Sequence, residues 1–180
     1  MCLLFYIKKQ KSFVLAYDID FVKKGGLLLH KRPFLLYPEF WEDSTVQLPS
    51  YITWQSVQFN QLNHALVSLH RGVYCFVVQP VVKGFFETRY LFYLGKTNRT
   101  LRKRYSEYLD NQQGKGKPRS KVYEMLKLYK DYLHFYYAEL NTEKEVDEVE
   151  EKLLNTFVPH INTQIPNAKI SPELKDIYLL

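Results

Sequence analysis

The fold is decided by one stretch of sequence, Tyr93-Leu94-Gly95-Lys96-Thr97-Asn98-Arg99-Thr100-Leu101-Arg102-Lys103-Arg104. Its first part is aromatic and apolar, which is typical of a strand, and its second part has the spacing of a basic helix. A second β-rich run lies upstream and begins with Gly72-Val73-Tyr74. Downstream, an acidic helical segment carries Glu150 on its apolar side. These three segments contain the residues that are the best candidates for a catalytic or binding role.

The strand pattern predicts a small sheet. Residues 72–82 and 88–94 are β-rich and are separated by turn residues at 83–87, which is the pattern of a hairpin. Residues 132–140 predict a third strand. With three helices between and after them, the order β-β-α-α-β-α predicts an α+β fold with a small central three-stranded antiparallel sheet flanked by helices.

The helices are predicted from caps and breakers. The first runs from a cap at Thr97 or Thr100 to about Asp110, and the second begins at Ser120. The last begins with a capping box and stops before Pro159.

Residues 1–70 read differently and form an N-terminal extension without a legible functional motif. Short strands are predicted at 12–17 and 27–29, around a glycine turn. Apolar residues spaced from Trp54 onwards predict a helix that ends near His70.

Composition limits the classes of protein. The chain has 180 residues, of which 46% are hydrophobic, and no run of 18 apolar residues, so a packed core and no membrane span are expected. Its two cysteines, Cys2 and Cys75, give neither a disulfide framework nor a zinc site. We therefore expect an intracellular protein, in the cytoplasm or in a eukaryotic organelle.

The charge pattern points to a polyanionic partner. The net charge is +6, and residues 96–130 hold eleven Lys or Arg against three acids. Residues 139–151 hold seven acids against one Lys. A basic surface suits phosphates and an acidic cluster suits a divalent cation. Two solvated helix faces explain the same pattern equally well.

Glu150 lies in the middle of an apolar helical stripe. A carboxylate on a buried helix face is costly unless it is paired or binds a cation. Two interpretations stay open on the residues alone: a structural salt bridge, to Arg104 or Lys96, or a metal ligand. The stripe consists of Val146, Val149, Leu153, Leu154 and Phe157.

Arg104 and Tyr108 are four residues apart on the basic helix, so they project to the same side. Arginine suits a phosphate because its planar fork donates two parallel hydrogen bonds and stays charged. Arg99 turns elsewhere and is predicted to contact the nucleic-acid backbone. A solvated helix face is the alternative for these charges.

Tyr74 and Tyr93 lie on adjacent predicted strands, where core packing is an ordinary role for tyrosine. Gly72 and Gly95 leave room beside them for close approach of backbone or substrate. Lys96 follows the second strand and is predicted to lower the pKa of a nearby phenol by favouring its anion.

The loop at residues 113–119 is basic, contains no acid and is too irregular for a nucleotide-binding fingerprint. It predicts either a contact with DNA phosphates through Lys115, Lys117 and Arg119, or an ordinary surface loop.

Taken together, these motifs resemble those of the GIY-YIG nuclease superfamily over about residues 70–165. The two strand signatures are matched by Gly72-Val73-Tyr74 and Tyr93-Leu94-Gly95. The helix patterns are matched by Lys96, Leu101, Arg104 and Tyr108, then by Glu150, Leu153-Leu154, Pro159 and Asn162. Two departures are the spacing of nineteen residues between the signature tyrosines, which implies an elongated turn, and residues 1–70, which match no family pattern.

The resemblance implies a metal-dependent endonuclease that cuts double-stranded DNA to 5′-phosphate and 3′-hydroxyl ends. Tyr74 would be the general base, Arg104 would stabilise the pentacovalent phosphate, and Glu150 would hold one Mg²⁺ (or Mn²⁺) per active site. The remaining matched residues would assist the phosphate or brace the site: Lys96, Tyr108, Tyr93 and Asn162. The resulting domains are an extension at 1–70, a catalytic core at 71–165 and a tail at 166–180. The extension is expected to serve DNA binding, dimerisation or a structural role.

The extra segments that other members of the family carry help to predict which kind of nuclease this is. Homing members append a long DNA-binding tail, and resolvases and retroelement members often carry zinc modules, which two cysteines cannot build. The size resembles that of the family's restriction endonucleases, so a site-specific enzyme and a homodimer are expected. The alternatives are a mobile-element, homing or structure-specific nuclease, and a DNA-binding module without catalysis.

Overall fold

The computed structural model describes residues 30–36, 38–42 and 48–162. The chain divides into two compact units, Met1–Arg32 and Pro33–Leu180, and every element below belongs to the second. The strands predicted at 12–17 and 27–29 and the tail predicted at 166–180 lie outside the described residues. No helix within the described ranges is long and apolar enough to cross a membrane.

A four-stranded antiparallel sheet forms the centre of this unit. Its strands are β1 (Gln55–Gln58), β2 (Gly72–Val78), β3 (Tyr90–Thr97) and β4 (Leu133–Glu139), in the spatial order β1-β4-β2-β3. Every residue of β2 is buried, which explains its continuous apolar sequence. The α+β class and the antiparallel sheet are confirmed, but the prediction of three strands is wrong.

The missed strand is β1, which lies inside the predicted extension. It reads Gln-Ser-Val-Gln and is largely exposed, so neither alternation nor apolar content signals it. It forms because β4 offers it a free edge of backbone groups, and the Tyr137 hydroxyl also donates to Gln55 Oε1 at 2.8 Å.

The helix predicted from Trp54 to His70 is also wrong. After β1 the chain forms a 3₁₀ helix, Leu62–Leu66. The leucines that suggested a buried helical face, Leu62, Leu66 and Leu69, are all exposed. Phe59 and Val67 are the residues of this segment that enter the core.

Within the described residues, four α-helices accompany the sheet: α1 (Pro38–Glu42), α2 (Leu101–Gln112), α3 (Ser120–Leu128) and α4 (Glu143–Phe157). Thr100, not Thr97, caps α2 by accepting a hydrogen bond from the Lys103 amide at 3.1 Å. The predicted capping box of Thr142 and Glu145 is present at the start of α4.

Two hydrophobic cores lie on opposite faces of the sheet, because alternate residues of β2 point to opposite sides. Tyr74 and Phe76 face α2 and α3 in the first core. Val73 and Cys75 face α4 in the second. The functional residues of β2 and β3 are therefore distributed between two separate layers.

The β2–β3 hairpin has the elongated connection that the sequence predicts. β2 ends at Val78, just before Pro80, and β3 begins at Tyr90. A β-bulge leaves Phe92 without a partner in β2, between the pairs Phe76–Tyr93 and Val77–Leu91. Because a bulge places two neighbouring residues on the same side, Phe92 and Tyr93 both enter the first core.

Candidate active site

Tyr74 is the most deeply buried member of the candidate site. Its side chain points into the first core with no exposed surface, and its register partner in β3 is Gly95. A Cβ atom at Gly95 would lie 2.6 Å from the Tyr74 hydroxyl. The space that glycine was predicted to leave is therefore filled by the Tyr74 ring.

Arg104 joins the two tyrosines that the sequence placed near it. Its Nε donates to the Tyr74 hydroxyl at 2.9 Å, and its Nη2 donates to the Tyr108 hydroxyl at 3.2 Å. Its Nη1 donates to Glu107 Oε2 at 2.8 Å. The Arg104 side chain keeps 28% of its surface exposed, whereas the Tyr74 and Tyr108 side chains are buried, so the guanidinium is the part of this cluster that solvent reaches.

The hydroxyl groups of Tyr74 and Tyr108 carry one proton more than their mutual hydrogen bond uses. The Tyr74 and Tyr108 hydroxyls lie 2.9 Å apart and share one hydrogen bond, and both also accept from Arg104. One of the two hydroxyl protons therefore has no acceptor in the part of the chain that the structure describes. That proton can be donated to a water or to a substrate oxygen.

Both hydroxyls are held neutral at ordinary pH. Burial raises the pKa of Tyr74, and hydrogen bonds from Arg104 and Tyr108 offset this only in part. Burial also raises the pKa of Tyr108. The sequence-based prediction that Lys96 lowers the pKa of a nearby phenol is wrong for these two groups, because Lys96 lies against carboxylates on the other face of the sheet.

Tyr93 completes a triangle of aromatic rings. Its ring centroid lies 6.3 Å from those of both Tyr74 and Tyr108, which are themselves 5.8 Å apart. Its hydroxyl accepts a hydrogen bond from Arg119 Nη2 at 2.6 Å. The structure thus brings an arginine from the predicted DNA-binding loop into the tyrosine cluster.

Lys96 and Glu150 form an ion pair on the second face of the sheet. Lys96 Nζ lies 2.8 Å from Glu150 Oε2 and 3.1 Å from Asp147 Oδ1, and only 13% of the Glu150 side chain is exposed. Burial alone would lower the pKa of Lys96, but its bonds to these carboxylates outweigh burial and raise it. Of the two salt bridges considered for Glu150, the one to Lys96 is therefore found.

The metal that the sequence resemblance implies can be tested against these carboxylates. Within the described ranges no three His, Cys, Asp or Glu side chains cluster as a metal site. Mg²⁺, however, is commonly held by one or two carboxylates and keeps several waters. Glu150 and Asp147 already face a shared cation, the Lys96 ammonium, so their oxygens fit such an ion.

Asn162 holds the free edge of β3. Its Oδ1 accepts from the Leu94 amide at 2.9 Å, and its Nδ2 donates to the Leu94 carbonyl at 2.8 Å. The Ile161 amide adds a bond to the Phe92 carbonyl at 3.1 Å. The Asn162 side chain therefore satisfies backbone groups at the edge of β3, next to Tyr93, as a neighbouring strand would.

The remaining predicted DNA-binding residues have different surroundings. Arg99 is half exposed and forms a salt bridge with Glu107 at 2.7 Å. Lys115 is exposed and lies 3.7 Å from Asp110. Lys117 is exposed and forms no ion pair with any described residue. All three loop residues are exposed, and Arg119 in addition contacts Tyr93.

Two acids of this site were missed from the sequence. Glu107 accepts from Arg99 and Arg104 and holds both guanidinium groups. Asp147 shares Lys96 with Glu150. Both lie three residues from a predicted site residue on the same helix, and this spacing places side chains on one helix face.

The comparison with family models agrees with the geometry. Residues 73–163, just over half of the chain, match the GIY-YIG catalytic domain. No curated protein and no solved structure matches the chain.

Proposed function

The chain belongs to the GIY-YIG nuclease family, and we propose that it is a metal-dependent endonuclease that hydrolyses phosphodiester bonds of double-stranded DNA. The proposed products carry 5′-phosphate and 3′-hydroxyl ends. We further propose a site-specific, restriction-type enzyme that acts as a homodimer.

The observation that carries the proposal is the position of Arg104. One edge of its guanidinium is fixed by the Tyr74 and Tyr108 hydroxyls, and Glu107 fixes Nη1. The group is thus oriented before substrate arrives and stays partly exposed. A preoriented guanidinium stabilises the negative charge that develops on a phosphate in the transition state without having to reorganise.

Tyr74 is proposed as the group that takes the proton from the attacking water. It can do so only as the phenolate, which hydrogen bonds from Arg104 and Tyr108 stabilise. This form is scarce at neutral pH because burial raises the pKa of Tyr74. The proposal therefore requires a rate that rises as the pH rises.

Glu150 and Asp147 are the residues proposed to hold the divalent ion, Mg²⁺ or Mn²⁺. When bound, the ion supplies a positive charge beside the leaving 3′-oxygen. Lys96 would then lose part of its contact with the carboxylates and become available to a phosphate oxygen.

The testing experiment is incubation with supercoiled plasmid in Mg²⁺, with EDTA as the metal-free control. Discrete linear fragments with 5′-phosphate ends support the full proposal, and a smear supports a nuclease with looser sequence demands. Binding of DNA without cleavage in Mg²⁺ or Mn²⁺ contradicts catalysis and leaves the DNA-binding module.

A further inference from the structure

Arg119 lies in surroundings unlike those of the loop lysines near it. Its Nη2 donates to the Tyr93 hydroxyl at 2.6 Å, and its Cζ lies 5.3 Å from the centroid of the Tyr93 ring. Its carbonyl accepts the first hydrogen bond of α3, from the Tyr123 amide at 2.9 Å. Both its backbone and its guanidinium are therefore held in place, which a flexible backbone contact does not require.

No carboxylate of a described residue neutralises the charge of Arg119. Arg99 and Arg104 share Glu107, whereas Arg119 forms no salt bridge within the described part of the chain. Its hydrogen bond to Tyr93 is partly buried. The Arg119 side chain as a whole is exposed, so an anion can reach the guanidinium that Tyr93 holds in place.

Arg119 also retains its charge in this position. Burial lowers its pKa, but Tyr93 outweighs burial and raises it. Among the described residues, its guanidinium contacts one protein acceptor, the Tyr93 hydroxyl, so further N–H groups remain for a ligand.

We propose that Arg119 is a second phosphate-binding arginine of the active site, which contacts the DNA phosphate next to the one that Arg104 binds. This inference rests on the proposed nuclease function. Arg104 is anchored on Tyr74 and Tyr108, and Arg119 is anchored on Tyr93, whose ring lies 6.3 Å from either of the others. On these neighbouring anchors, each guanidinium would bind one of two successive phosphates of a strand.

The first measurement separates chemistry from binding. Single-turnover cleavage at saturating DNA should be slowed about 100-fold by Arg119→Ala, the usual scale for losing one preorganised donor. Arg119→Lys should be intermediate, because it keeps the charge and loses the fork. The matched control is Lys127→Ala, an exposed lysine of α3 that contacts the Tyr123 ring and has no role in the proposed site, which should leave the saturated rate unchanged.

The second measurement identifies the phosphate. A neutral methylphosphonate is placed, in separate substrates, on each side of the mapped cleavage site. At one of the two positions, the methylphosphonate should slow cleavage by the wild-type enzyme as much as the Arg119→Ala substitution does. At that position it should cause no additional loss of rate in the Arg119→Ala enzyme. The Lys127→Ala enzyme should show the full loss. A merely structural role for Arg119 predicts independent, additive losses at both positions.

Three outcomes would contradict either the role of Arg119 or the proposed nuclease function. Additive losses, or a wild-type saturated rate for Arg119→Ala, overturn the role of Arg119 and leave the nuclease function intact. Absence of cleavage by the wild-type protein overturns the proposed function and this inference with it. If thermal unfolding shows that Arg119→Ala does not fold, the same cycle with Arg119→Lys decides.

Discussion

Gly95 and Tyr74 face each other across the β2–β3 ladder, and a Cβ at Gly95 would lie 2.6 Å from the Tyr74 hydroxyl and 2.8 Å from its Cζ. The glycine is therefore required by the tyrosine ring that covers it. Its role is one of close approach, because the ring of a fully buried tyrosine has nowhere to move.

The first prediction follows from this contact. Gly95→Ala should displace Tyr74, break its bond with Arg104 and destabilise the protein by about 1–3 kcal/mol, the cost of overpacking a core. Cleavage should fall by more than the loss of folded protein explains. The measurements are denaturant unfolding and single-turnover cleavage. Gly84→Ala is the control, since nothing lies within 4 Å of its Cβ position and only its φ of +81° is strained. Equal cleavage by both variants would contradict the assignment.

Spacing along one element correctly predicted which side chains of the candidate site lie together. Arg104 and Tyr108 are four residues apart on α2 and meet as expected. The position of Arg119 could not be predicted, because its contact with Tyr93 depends on how the loop returns to the sheet. Local periodicity does not contain that information.

The second prediction concerns the carboxylate of Glu150. Glu150→Gln should abolish cleavage while DNA binding is kept or improved, because glutamine keeps the shape and removes the charge that holds the cation. Asp147→Asn should reduce metal affinity with a smaller loss of rate, since its side chain is more exposed. Calorimetric titration with Mn²⁺ measures the metal affinity separately. Cleavage by Glu150→Gln near the wild-type rate would remove Glu150 from the metal site.

The third prediction tests Tyr74 as the base. Tyr74→Phe should slow cleavage by about 100-fold or more, with little effect on folding. For the wild-type enzyme, the raised pKa of Tyr74 means that the phenolate fraction grows about tenfold per pH unit through neutral and mildly alkaline pH. The logarithm of the rate should therefore rise with pH without a plateau near pH 7. A profile that is flat from pH 7 to 9, or an effect confined to Tyr93→Phe, would transfer the base to another group.

The fourth prediction concerns Glu107, which holds Arg99 and Arg104. Glu107→Gln should tighten DNA binding, because it removes a negative charge beside two arginines, and should slow the chemical step, because Arg104 loses its fixed orientation. Asp110→Asn is the control on the same helix, since Lys115, at 3.7 Å, is the only described residue with which Asp110 forms an ion pair. Binding in Ca²⁺ and cleavage at saturation separate the two effects. Unchanged chemistry in Glu107→Gln would show that Arg104 is oriented by the tyrosines alone.

Elements with long apolar patterns were predictable from the sequence. Elements that depend on pairing with a distant part of the chain were not. Fully buried β2 and the capped helix α4 follow from their own residues. The short polar strand β1 does not, because only the exposed edge of β4 makes it a strand. The exposed leucines of the 3₁₀ helix show the converse error, in which helical spacing occurs without a buried face.

The last prediction concerns the N-terminal residues, for which the sequence predicts a role in dimer contact or DNA binding. Deleting residues 1–70 should prevent folding, because it removes β1 and the buried side chains of Phe59 and Val67. Loss of one buried phenylalanine side chain alone costs about 3–5 kcal/mol, and a domain is stable by only about 5–15 kcal/mol.

Deleting residues 1–32 removes one compact unit and leaves every described strand, so this variant should fold. Its oligomeric state by light scattering, its DNA affinity and its cleavage pattern then test the predicted role directly. A shorter protein that folds, keeps the same oligomeric state and cuts the same sites would show that residues 1–32 contribute to neither, and a folded, active 71–180 fragment would contradict the packing argument itself.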